Sequence, residues 1–353
     1  MENLLELYGE DSVLFVLGGL VGLVFGAAAY QSQFCLRAAT VEVAEGRFET
    51  RLSIWLLAFC AAVFGVQLAI ALDVLRVVDA RQLANVGSLS GAILGGLMFG
   101  IGMVLARGCA SRLLVLSATG NMRAIVTGLV LTVVAQASLT GALAPLRTAL
   151  SGLWPVPGGD ARNLLALVGL NAEIMTGLSG AALIGAVVLA RRTGTPLTQI
   201  ITAPIVGFAV AGGWIGTFQI AQASFEVVPI TSVTFTGPST DTMMALVNQP
   251  TAPLGFGIGL VPGVFLGAFI LAIVTGGFRL ERFDRDTPME KYLAGAVLMG
   301  FGSMLAGGCA VGAGMSGGAI FSLTAWVAVG SMWVGAMATH TVLRADHGVA
   351  AIP

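Results

Sequence analysis

The sequence predicts an all-α, polytopic membrane protein of about nine transmembrane spans plus short re-entrant helices, arranged as an inverted pseudo-two-fold repeat. Three observations carry that expectation. Only 10% of the residues are charged and 56% are hydrophobic, whereas ordinary soluble domains are about 25% charged. The apolar residues fall into runs of roughly 20, long enough for a helix to cross a hydrocarbon core. A glycine-lined segment bearing a cysteine also occurs twice, 200 residues apart.

The runs lie at about 12–30, 52–72, 86–106, 123–144, 174–190, 198–220, 254–277, 291–307 and 319–342. Glu2, Glu6, Glu10 and Asp11 precede the first, where a cleavable signal peptide would carry basic residues, so this run is expected to remain as a span. With nine crossings and the N-terminus outside, eleven Arg and Lys fall in inner loops, Arg285 among them. Four fall outside: Arg76, Arg81, Arg147 and Arg162. Because cytoplasmic loops collect Lys and Arg, the N-terminus is expected outside and the C-terminus in the cytoplasm.

Composition also narrows the function. A formal net charge of −1 offers no basic face for nucleic acid, and two histidines leave little room for a histidine metal site. The four cysteines, Cys35, Cys60, Cys109 and Cys309, form no CxxC pair. This argues against a zinc knuckle, a thioredoxin-like centre and a disulfide scaffold. No nucleotide-binding motif appears, and neither a metal nor another cofactor is expected.

The repeated segments are "LARGCASR" (Leu105 to Arg112) and "LAGGCAVG" (Leu305 to Gly312). Aligned from 95 and 295 they share eight of sixteen residues, including Gly95, Gly100, Gly102, Gly108 and Cys109. They occupy the third and eighth runs. An odd spacing makes the copies cross in opposite directions, which generates a pseudo-two-fold axis in the membrane plane with a site near the midplane. A second, weaker match pairs "YQSQFC" (Tyr30 to Cys35) with "AQASFE" (Ala221 to Glu226), setting Cys35 opposite Glu226. The likeness of "GLVFG" at Gly22 to "GLVPG" at Gly259 pairs runs six apart, the wrong parity, and stays outside the repeat. One membrane domain, 1–353, is expected, with repeats of approximately 12–145 and 198–343 joined by a linker, 146–197.

Gly100, Gly102, Gly300 and Gly302 suit close helix packing in lipid. Arg107-Gly108 and Gly307-Gly308 suit a helix break, with Gly108 and Gly308 allowing close backbone approach. Broken backbone at membrane depth has to be buried in protein or line a cavity, and half-helix termini there can face an anion. The stretch "AVGAGMSGGA" after Cys309 is glycine-rich enough to read as a loop or re-entrant turn, and the two breaks are expected near the centre of the membrane. Arg107 and Arg112 either sit at the interface or line a path with positive charge. Cys60, in "LAFCAAVFG", reads as a small buried hydrophobe. His340 reads as a satisfied helix histidine, Glu173 and Glu226 as interfacial, and Met103, Met304 and Met315 as packing.

A neutral thiol is a weak donor and a soft acceptor, poorly matched to sulfate or phosphate. It suits a sulfur or selenium anion, or copper(I). Several thiols along a path would pass such a cargo stepwise, provided each site binds weakly enough to release it. A membrane thiol oxidoreductase is the reading from another class, and the missing CxxC speaks against it.

"GCAS", "GGCAVG", "SQFC" and "TSVTFTGP" (Thr231 to Pro238) together resemble the YeeE/YedE family of thiosulfate transporters. The resemblance implies an hourglass-shaped protein of the bacterial inner membrane. It also implies thiosulfate uptake through three cysteines, here Cys35, Cys109 and Cys309, relaying the ion by S–H···S bonds. A small cytosolic sulfurtransferase-like protein is implied as a partner. Arg107 stands where the family more usually has glycine.

Overall fold

The computed structural model describes residues 2–248, 254–282 and 289–346; Arg285 lies outside them. The architecture rests on twelve helices. In the first half these are α1 (Glu10–Ser32), α2 (Leu36–Ala44), α3 (Thr50–Ala71), α4 (Leu89–Leu105), α5 (Ala110–Ala118) and α6 (Met122–Leu139). Then follow α7 (Ala172–Arg192), α8 (Leu197–Ala223), α9 (Thr236–Asn248), α10 (Phe256–Val274), α11 (Met289–Ala306) and α12 (Leu323–Asp346). The strand content among the described residues is a two-residue antiparallel pair, Gly87–Ser88 with Pro155–Val156, and isolated bridges.

All nine apolar runs are helices. Eight of these helices, among the described residues, are long and apolar enough to cross a membrane. The remaining run, α11, has 18 residues but opens on Glu290 and Lys291. Glu290 and Lys291 are exposed at its start, and ten residues from Tyr292 to Ala306 are buried. At the other extreme α7 packs on α3 and leaves most of its length free, with Ile184 68% exposed.

Polar side chains close the helix starts. Ser88 accepts the N–H of Gly91 at 2.8 Å to cap α4, and Asn121 accepts that of Ala124 at 3.0 Å to cap α6. The buried carboxylate of Glu42 accepts the N–H groups of Glu49 (2.5 Å), Arg51 (2.9 Å) and Leu52 (3.2 Å) at the start of α3. These donors have no partner within the helix, and a carboxylate complements the positive end of its dipole.

Glycine ladders set the helix pairs. Gly18, Gly22 and Gly26 of α1 lie against α10, whose Gly259, Gly263 and Gly267 lie against α1. A methyl group on Gly22 would sit 2.9 Å from the backbone nitrogen of Val264, and one on Gly259 would sit 3.1 Å from that of Gly19. The contacting residues rise together in number, so the two helices run parallel. This pairing explains the "GLVFG" and "GLVPG" likeness: each is one rung spacing of a facing ladder, and small residues four apart let backbones touch. The α3–α8 pair is built in the same way, with Gly207 against Ala58 and Ala62 and Gly65 against Ala211.

The central pair, α4 with α11, runs antiparallel, and its contacts are reciprocal. A methyl on Gly95 would lie 2.5 Å from the Gly302 oxygen and 3.0 Å from the Ala306 side chain. One on Gly295 would lie 2.6 Å from the Gly102 oxygen and 3.0 Å from the Ala106 side chain. Each contact recurs with 200 added to one partner and subtracted from the other, which is the signature of an isologous, two-fold type of interface. Around this pair, α12 packs on α4, and α6 packs on α11.

Of the two alternatives for the segment after Cys309, loop or re-entrant turn, the structure shows a turn that is helical. Gly312–Gly317 forms a π-helical turn, continued by helical residues on both sides. All six residues are buried. A methyl on Gly317 would come 2.6 Å from the Ala325 side chain, and one on Gly318 would come 3.1 Å from Phe59. Close packing on several sides demands residues without side chains here, and it overrides the poor helix propensity of glycine.

Gly22→Val, which forces a side chain between two parallel backbones, is expected to cost at least 1–3 kcal/mol by overpacking (an order-of-magnitude figure). Gly128→Ala, with nothing within 4 Å of the added atom, is expected to be neutral. Thermal midpoints of the detergent-solubilised proteins separate the two. Glu42→Ala strips three backbone donors of their acceptor and is expected to lower stability by about 2 kcal/mol, read in the same assay.

Candidate functional site

Each of the two repeated helices ends in the same cap. Gly108 N–H donates to the Met103 oxygen at 3.0 Å, and Gly308 N–H donates to the Ser303 oxygen at 2.9 Å. Between helix and cap, Arg107 has φ 54° and Gly307 has φ 79°. These are Schellman-type ends, in which one left-handed residue lets the chain leave the helix with its last carbonyls satisfied. The break therefore falls on the first residue of each expected pair, Arg107 and Gly307. Gly308 does enforce a close approach, since an added methyl would lie 2.9 Å from the Ala313 nitrogen. Gly108 does not: its nearest neighbour would be 3.5 Å away, on Arg112.

The breaks straddle the crossing of α4 and α11. Gly95 lies level with Ala306, and Gly295 lies level with Ala106. Eleven residues of helix then separate the two breaks by about 16 Å, placing each about 8 Å from the crossing point.

All three sequence-predicted cysteines begin helical segments. Cys35 is the N-cap residue of α2 and Cys109 that of α5. Cys309 immediately precedes the helical turn that starts at Ala310. All three are free and buried, with exposures of 8%, 1% and 1%. In each case the N–H three residues on faces the sulfur: Ala38, Arg112 and Gly312. Only Gly312 reaches hydrogen-bonding geometry, at 3.5 Å. A helix N-terminus presents unpaired N–H groups and positive potential, so each thiol sits where an anion is favoured.

The thiols fall into two groups. The Cys35 thiol lies beside that of Cys109, with the half-buried Arg112 and Arg37 contributing positive charge. The Cys109 sulfur also meets the Ser111 hydroxyl at 3.3 Å. On the second half, Cys309 meets the Thr234 hydroxyl at 3.9 Å. Thr234 belongs to a non-helical stretch, 230–235, that leads into α9. Three hydroxyl bonds hold this stretch in the core: Thr217 to the Thr231 oxygen (2.7 Å), Ser232 to the Val210 oxygen (2.6 Å) and Ser316 to the Val233 oxygen (2.5 Å).

The structure gives places to the residues the sequence singled out. Arg107 is exposed; the charges facing the Cys35–Cys109 pair belong to Arg112 and Arg37, the latter with a buried Nε that has no partner among the described residues. Glu226, aligned with Cys35, is exposed, and the residue that reaches the second-half cysteine is Thr234. Sequence reasoning missed Arg37 and Thr234. Their signals were an arginine two residues after Cys35, echoing Arg112 after Cys109, and the alternation of hydroxyl and apolar residues in "TSVTFT". Cys60 is partly buried within α3 and packs against the core. His340 pairs with Glu45 at 3.1 Å, tying α12 to the end of α2. Burial opposes ionisation of Glu45, but hydrogen bonds from Arg47 and His340 hold its carboxyl below the usual range.

A bundle of membrane-crossing helices, broken at two crossed helices and seating a buried thiol at each broken end, is the architecture of a polytopic membrane transporter. A family model described as sulphur transport matches residues 31–338, and the chain belongs to that family; it is a transporter and not an enzyme. Among curated proteins it is similar to "Thiosulfate transporter TsuA" of Escherichia coli (strain K12). The two are 27% identical over 267 residues, which cover 69% of this chain and 72% of the relative. It is also similar to "Thiosulfate transporter TsuA" of Spirochaeta thermophila (strain ATCC 700085 / DSM 6578 / Z-1203). There the identity is 26% over 344 residues, 88% of this chain and 93% of the relative.

The left-handed conformation of Arg107 is strained for a residue with a side chain. Arg107→Gly is expected to keep the fold and raise stability by about 1 kcal/mol, whereas Gly307→Val is expected to lower it by at least as much. Unfolding midpoints of the purified proteins check both signs.

Proposed function

We propose that this chain takes up thiosulfate, or a closely related sulfur-containing ion, across the bacterial inner membrane along a path lined by Cys35, Cys109 and Cys309. The observation that carries this reading is the repeated seat of the thiols: three buried sulfurs, each at the N-terminal edge of a helical segment, with positive potential beside a soft atom. Thiosulfate joins a soft terminal sulfur to a charged oxygen end, so it matches both features. The named relatives support the same cargo.

In this reading the residues 12–145 and 198–343 are two inversely threaded halves of one membrane domain, 1–353, and 146–197 links them. The N-terminus faces out and the C-terminus faces the cytoplasm. Cys309 then serves the outer approach and the Cys35–Cys109 pair the inner one, with Arg112 and Arg37 drawing the anion inward. Gly308 brings backbone close to the path, Gly108 leaves room beside Arg112, and Arg107 shapes the turn without touching cargo. A cytosolic sulfurtransferase-like protein receives the ion. Copper(I) fits less well, because it needs converging thiolates, and Cys309 faces a threonine while the other two thiols face each other.

Uptake of labelled thiosulfate, by cells with no other importer, tests the proposal. Cys109→Ala and Cys309→Ala are each expected to abolish uptake at normal expression, Cys35→Ala to reduce it strongly, and Cys60→Ala to leave it unchanged. Normal uptake by both the Cys109 and Cys309 variants would remove the thiol path.

A further inference from the structure

The two thiol stations are chemically unequal, and the difference lies in the short stretch before α9. In the first half, the residue before the short helix is a cysteine, Cys35, and its thiol faces Cys109. In the second half, the residue facing Cys309 from the corresponding stretch is Thr234, a hydroxyl. Two residues further on, Thr236 opens α9; it is 1% exposed, and its hydroxyl has no hydrogen-bond partner among the described residues.

An unpartnered hydroxyl in the core is costly, because it has given up water without gaining a replacement. The neighbouring hydroxyls of Ser232 and Ser316 are both spent on backbone oxygens, at 2.6 and 2.5 Å. Thr236 therefore keeps a buried donor without a partner among the described residues. It stands at the start of a 13-residue helix, whose first N–H groups add to the same potential. Beside Thr234, the Gly312 N–H faces the Cys309 sulfur, and Gly312 is itself pressed against Thr234: an added methyl would lie 2.9 Å from the threonine Cβ. Thr234 is thus fixed against the cysteine by packing.

We infer that Cys309, Thr234 and Thr236 form a two-ended station, in which the threonine hydroxyls hold the oxygens of a sulfur oxoanion and the thiol meets its terminal sulfur. The inference rests on the functional reading above and adds its selectivity. A plain oxoanion such as sulfate satisfies the hydroxyls but leaves the thiol without a soft partner. A soft ion without oxygens satisfies the thiol and leaves Thr236 orphaned. The Cys35–Cys109 station has two thiols and the Ser111 hydroxyl, and it discriminates less between these classes.

Equilibrium binding of labelled thiosulfate to the detergent-solubilised full chain, with sulfate as competitor, tests this. Thr234→Val and Thr236→Val are close to isosteric and keep the packing. Each is expected to raise the thiosulfate Kd about tenfold or more, the loss of a hydrogen bond to a charged group. Thr234→Ser and Thr236→Ser, which keep the hydroxyl, are expected to bind within about threefold of the native chain. Cys309→Ala is expected to narrow the preference for thiosulfate over sulfate by about tenfold. Native Kd values for both valine variants, with unaltered sulfate competition, would overturn the station while leaving the uptake proposal standing. No thiosulfate binding or uptake by the native chain would overturn the functional reading itself.

Discussion

A helix that stops inside a membrane leaves carbonyls and N–H groups that lipid cannot satisfy, and the rest of this structure follows from how that problem is solved twice. The carbonyls at the ends of α4 and α11 are closed by matching Schellman caps. The N–H groups that begin the next segments are left facing Cys109 and Cys309 instead of a conventional oxygen cap. Such an arrangement survives only when wrapped in protein. The glycine seam between α4 and α11 and the helices packed on its flanks supply the wrapping. The thiol sites are thus consequences of the breaks, and the breaks are sustained by the packing.

Antiparallel contact at the centre and parallel contact at the periphery use the same device for different ends. In the α4–α11 seam, Gly95 meets Gly302 as Gly295 meets Gly102, and the two broken ends are held about 16 Å apart. In the α1–α10 and α3–α8 pairs, glycine ladders bind one half of the chain to the other in parallel. The result fixes helical ends on both sides of a rigid crossing. In the proposed thiol path a cargo would meet fixed stations, and weak binding at each would favour release.

Much of this was legible in the residues because apolar runs and glycine spacing report directly on membrane helices. All nine runs became helices, and the cysteine contexts marked the broken ends. What stayed illegible depended on packing. Arg107 and Arg112 both read as interfacial or as a positive lining; packing separates them, leaving Arg107 exposed on its left-handed turn and Arg112 half-buried with Arg37 beside the thiols. The glycine-rich stretch after Cys309 reads as a loop or re-entrant turn by propensity, and burial from Phe59, Thr234 and Ala325 holds it helical. Thr234 could not be found by alignment with Cys35, because a longer connection precedes α9 than precedes α2.

The central claim is that the buried thiols at the broken helices are where cargo sits. Its most direct measurement is the rate of maleimide alkylation at Cys35, Cys109 and Cys309 in a Cys60→Ala background, with and without thiosulfate. Thiosulfate is expected to slow alkylation at all three positions, while sulfate at the same ionic strength does so weakly. Rates unchanged by thiosulfate at every cysteine would contradict it.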